Sequence, residues 1–99
     1  MISLSVLLLA MLLFVLTFPP NGAKLFRKEG CIHCHKFKGE GGGVGPDLAG
    51  VAEDHSETWI KEQIRDPKLH NPDTRMPSFA YLSEREIEAI VKYLREEKD

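Results

Sequence analysis

The chain's two cysteines stand three positions apart in Cys31-Ile32-His33-Cys34-His35, with a histidine directly after the second. A disulfide across so short a span would close a tiny loop and restrain the unfolded chain little. A dithiol redox pair of the thioredoxin kind calls for a βαβ setting, and the sequence holds no convincing strand pattern. A structural zinc site would need both thiols and two of His33, His35, His55 and His70, but the second ligand pair lacks a recognisable spacing. Covalent attachment of a haem fits the pattern. Each thiol adds across one vinyl group, the vinyls sit on adjacent pyrrole rings, and the next histidine falls beneath the iron as its proximal ligand. Cys31 and Cys34 are therefore the expected attachment points and His35 the expected metal ligand. His33, lying between the cysteines, is expected to face solvent.

The rest of the chain agrees with such a staple. Residues 2–18 form an almost unbroken apolar run without a charge. Setting them aside leaves about 80 residues rich in Lys, Glu, Gly and Pro, a size at which a single core is marginal without a cross-link or prosthetic group. A formal net charge of −2 argues against nucleic acid as a partner. The apolar run exceeds an ordinary signal-peptide core and lies at the short limit for a membrane span, and Pro19-Pro20 ends it. Lys24, Arg27 and Lys28 follow it, which on charge alone would keep the domain in the cytoplasm. Haem attachment normally takes place outside that membrane, and the chemistry outweighs the charge signal. We expect residues 1–21 to be a signal peptide or a membrane anchor acting through residues 2–18. Residues 22–99 form the functional domain, on the periplasmic side of the cytoplasmic membrane.

Within that domain the patterns are helical. Residues 22–29 are predicted to form a first helix burying Leu25 and Phe26 and ending at Gly30. Residues 36–45 form a loop in which five of ten residues are glycine. Ser56 is a good N-cap for a second helix running through Trp59, Ile60 and Ile64 to Asp66, where Pro67 stops it. Ser83 and Glu86 have the spacing of a capping box. Ile87, Ile90, Val91 and Leu94 then form one apolar stripe, so a third helix starts there. Its carboxylates Glu84, Glu86, Glu88, Glu96 and Glu97 read as a solvated face. The fold class is all-α: three main short helices around one covalent haem, preceded by an N-terminal hydrophobic helix.

A sixth iron ligand is expected from the proline-rich loop 67–82. Met76 is the one methionine outside the leader. It lies far from His35 in sequence, and Pro77 and Phe79 are placed to stiffen and shield it. A methionine filling a core gap, or His55 or His70 in its place, are the alternatives. His35 should donate its outer ring N–H to a carbonyl. Pro46 in Gly45-Pro46-Asp47-Leu48 offers one, and an ordinary turn explains that segment equally well.

Taken together, residues 22–96 resemble the class I, monohaem cytochrome c family of compact bacterial type. The likeness rests on Gly22 and Phe26, the Cys31–His35 motif, Gly45-Pro46-Asp47-Leu48, Trp59 with Asp66-Pro67, Met76-Pro77 and Tyr93. It implies that Met76 is the distal ligand and that the Pro46 carbonyl accepts from His35. It also implies that the first and last helices cross, with Gly22 and Phe26 against the turn around Tyr93. The function implied is that of a one-electron carrier and not an enzyme, with one haem c per chain. Its partners would be a respiratory donor and acceptor, one of them a membrane complex in some settings. The family's lysine cluster is only partly present, as Lys24, Arg27, Lys28, Lys36 and Lys38. Trp59 is expected in the core, and Arg75 is a candidate for contact with a haem propionate.

Overall fold

The computed structural model describes residues 1–96, and among them six α-helices and no strand. Helix α1 (Leu4–Thr17) begins at Ser3, whose side chain accepts from the Val6 amide. Its 14 residues rise roughly 21 Å against a hydrocarbon core of about 30 Å. Among the described residues no helix is long and apolar enough to cross a membrane.

Asn21 caps α2 (Gly22–Lys28), its side chain accepting from the Lys24 amide. Gly30, at φ 83°, ends that path and turns the chain into α3 (Cys31–Cys34), a single turn. The glycine-rich loop follows, with one isolated antiparallel bridge between Phe37 and Glu40, and leads to the one-turn helix α4 (Val51–Asp54). Ser56 caps α5 (Glu57–Arg65) by accepting from the Trp59 amide. Asp66 leaves the helical region, at φ −146° and ψ 78°, as the clash with the following proline demands, so α5 stops one residue earlier than the pattern suggests. A 3-10 turn, Pro67–Leu69, opens the long loop. The capping box closes as expected: the Ser83 amide donates to Glu86 and the Glu86 amide to Ser83 Oγ, starting α6 (Glu84–Glu96).

The helices α3 and α4 and the 3-10 turn are absent from the sequence expectation because one turn is too short to show a period. The core is built where α2 and α5 pack on α6. Ile87, Ile90, Val91 and Leu94 supply the α6 stripe, facing Leu25 and Phe26 from α2 and Ile60 and Ile64 from α5. Phe37, Phe79 and Leu82 fill in from the loops. Helices α2 and α6 cross with Phe26 against Tyr93, ring centroids 5.7 Å apart, and Phe37 edge-on to Tyr93 at 5.2 Å.

The α6 carboxylates Glu84, Glu88 and Glu96 are exposed, as expected of a solvated face, and also make ion pairs. Lys61 reaches Glu84 at 3.5 Å and Glu88 at 3.4 Å, and Arg65 pairs with Glu84. Arg95 pairs with Glu57 and Glu96. Such exposed pairs contribute at most about 1 kcal/mol each, so they orient α5 on α6 more than they stabilise it. Glu97 lies outside the described residues.

Candidate functional site

The site is assembled on a helix too short to hold itself. A one-turn helix leaves its carbonyls without intrahelical donors, and the glycine-rich loop supplies those donors. The Gly42 amide donates to the Ile32 carbonyl at 2.9 Å and the Gly45 amide to the Cys34 carbonyl at 2.7 Å. The Leu48 amide donates to the Lys36 carbonyl at 2.8 Å. Only a backbone without a Cβ comes this close. A Cβ on Gly42 would stand 2.9 Å from the His33 carbonyl carbon, and one on Gly45 would stand 2.5 Å from His35 Cε1. The glycines are therefore the inner wall of the site, a role their lack of periodicity conceals.

Gly45 presses on the flat of the His35 ring, and the next residue holds its edge. His35 Nδ1 lies 2.8 Å from the Pro46 carbonyl oxygen. A carbonyl can only accept, so Nδ1 carries the proton and donates. The Nε2 lone pair is then the ring's one remaining donor to a metal. Cys31 and Cys34 are thiols on the same helical turn, each half-buried, and His33 between them is exposed.

Burial pushes the Cys31 thiol up to about 11. At pH 8 roughly a thousandth of it is thiolate, which is the reactive form.

Met76 comes from the opposite part of the chain. The last turn of α5 grips its loop: Ser78 Oγ donates to the Arg65 carbonyl at 2.7 Å, and the Phe79 amide to the Ile64 carbonyl at 3.0 Å. On its other side the Met76 amide donates to Thr74 Oγ1 at 3.2 Å. Met76 is half-buried and packs on the same core cluster as Cys31, Ile32, Leu48, Val51 and Trp59. Further on, Tyr81 donates to Glu29 Oε2 at 2.9 Å, tying this loop to the residues just before the cysteine motif. Arg75 is exposed.

Two features of the site escape the sequence. Trp59, expected in the core, is half-buried, with both faces covered by histidines. His55 stacks at 3.6 Å with planes 12° apart, and His70 at 4.3 Å with planes 5° apart. Gln63 Nε2 lies 3.4 Å from Met76 Sδ. The four-residue spacing of His55 and Trp59 hints at the first stack; nothing in the spacing ties Gln63 to Met76. The donor set that results is one imidazole Nε2, one thioether and two thiols on a single turn, bordered by half-buried apolar side chains. That set suits a flat apolar macrocycle with a central metal.

A family model described as Cytochrome c matches residues 20–98. The chain is also similar to cytochrome c oxidase subunit 2 of Alkalihalophilus pseudofirmus, 32% identical over 88 residues, covering 80% of this chain and 25% of that protein. The chain thus spans a quarter of the length of this curated relative.

Proposed function

Since this chain belongs to the cytochrome c family, whose members transfer electrons through haem, we propose that it is a carrier with one haem c. In this reading the haem is bound as thioethers to Cys31 and Cys34 and ligated by His35 and Met76. The observation that supports it is the His35–Pro46 hydrogen bond of 2.8 Å, which leaves the Nε2 lone pair available to a metal beside the turn that presents both sulfurs. The haem, when bound, would supply one-electron redox chemistry. Everything else falls to the polypeptide. Pro46 fixes the imidazole's tautomer and plane, and Gly45 blocks its rotation. The α5 carbonyls that hold Ser78 and Phe79 keep the thioether in place in both oxidation states, so little has to reorganise. Imidazole with thioether raises the potential relative to two histidines.

Docking follows from charge. Lys24, Lys28 and Lys36 are exposed around the cysteine turn, while Arg27 is held by Glu40 at 2.7 Å. These cations would steer acidic partners, a steering that salt screens. Likeness to part of an oxidase subunit supports a respiratory membrane complex as one partner. Residues 1–21 act as leader or anchor in this reading and 22–99 as the carrier domain, delivered to the outer side of the cytoplasmic membrane.

The test is a visible spectrum of protein matured in a haem-competent host. Wild type should be low-spin, with a methionine–iron(III) charge-transfer band, and Met76→Ala should lose that band. A wild-type spectrum that changes with carbon monoxide under native conditions would overturn methionine ligation and indicate an open, ligand-binding haem. A colourless protein with free thiols would overturn the whole reading.

A further inference from the structure

The side chain of Gln63 bridges two groups. Its Nε2 donates to Met76 Sδ at 3.4 Å, and its Oε1 lies 2.8 Å from His70 Nδ1. Chemistry sets the direction of this chain. A thioether has lone pairs and no proton, so only the amide nitrogen can serve it. The amide must then turn its oxygen to His70, and Nδ1 must carry a proton to donate. His70 is itself held flat against Trp59. The other face of Trp59 lies on His55. The amide therefore has one orientation that satisfies both partners, and a stack of three rings maintains it.

We propose that Gln63 is a positioning residue for Met76 and that His70 fixes the orientation of its amide. This rests on the reading of Met76 as an axial ligand. One sulfur lone pair is occupied by the Gln63 N–H, which leaves the other aimed at the metal and restricts rotation of the methionine tip. The hydrogen bond also withdraws electron density from the sulfur. A poorer donor stabilises oxidised iron less than reduced iron, so the bond raises the reduction potential.

The experiment uses the full haem-loaded chain. Midpoint potential and the charge-transfer band are measured for wild type, Gln63→Leu, His70→Phe, the double variant and Met76→Ala. Gln63→Leu preserves size and removes the donor; its potential should fall by about 28 mV, a threefold change at 59 mV per decade for one electron. His70→Phe keeps a ring on Trp59 but removes the N–H; its potential should fall in the same direction by less. The double variant should match Gln63→Leu alone, because both changes act through one hydrogen bond. A Gln63→Leu potential equal to wild type, or shifts that add in the double variant, would overturn the proposal. Should Gln63→Leu fail to mature, Gln63→Ala carries the same test. Met76→Ala separates the two claims. If it keeps the wild-type band, the ligand assignment itself is wrong. If it loses the band while Gln63→Leu leaves the potential unmoved, only the role of Gln63 fails.

Discussion

Protein carrying both Cys31→Ser and Cys34→Ser is expected to purify without retained haem and largely unfolded, whereas wild type keeps its haem through denaturation. The reason lies in the size of the core. Among the described residues, eleven buried hydrophobic side chains hold the domain. Met76, Trp59, Leu48, Ile32 and Val51 are only partly covered by protein. A domain of this size is stable by about 4–11 kcal/mol at most, at 0.05–0.15 kcal/mol per residue. The apolar contact of a large macrocycle, at ~25 cal/mol per Å² buried, is of similar magnitude, so losing it removes most of the margin. Serine hydroxyls cannot form thioethers, and only the axial ligands of this reading, His35 and Met76, are left to hold the group. Intact mass under denaturing conditions reads attachment, and far-ultraviolet circular dichroism reads the helices. A double-serine protein that retains haem through denaturation, or folds with wild-type helicity without it, would contradict this account.

Gly22→Val is expected to destabilise the haem-loaded protein by about 3 kcal/mol, the upper end of overpacking costs, and to lower Tm by roughly 12–24 °C. Here the effect is purely steric. Gly22 lies where α2 crosses α6, and a Cβ there would sit 2.7 Å from the Ala89 carbonyl carbon and 2.8 Å from Tyr93 Cβ. Neither neighbour is a flexible side-chain end that can swing away. Relief requires α2 to lift off α6, which would uncover Leu25 and Phe26 and loosen the Phe26–Tyr93 contact. Lys24→Ala, on the exposed side of the same helix, should stay within about 0.5 kcal/mol of wild type. Urea titration of the two variants measures the difference. Equal midpoints would mean that the crossing is not as close as described.

Much of this molecule is legible locally. The three long helices of the domain are announced by signals contained within a few residues: Ser56 and the Ser83–Glu86 box at the starts, Gly30 and Pro67 at the ends, and the α6 stripe between. Such signals act through the chain's own backbone, so no partner is needed to read them. The one-turn helices α3 and α4 are too short to carry a period. The carbonyls of α3 are satisfied by Gly42 and Gly45 from the following loop.

The same distinction separates the parts of the site. The two thiols, the adjacent imidazole and the methionine of the proline-rich loop are residue types at spacings, and with the family resemblance they carry they name the chemistry to expect. Which nitrogen of His35 keeps its proton, why the loop after it must be glycine, and which amide touches Met76 are all matters of approach between segments distant in sequence. Gln63 and Met76 lie thirteen positions apart, with no period that relates them. Side-chain identity therefore determined the family and the helical class. Tertiary packing decided the orientation and the neighbours of each donor, because hydrogen bonds and van der Waals contacts depend on distances that the order of residues does not encode.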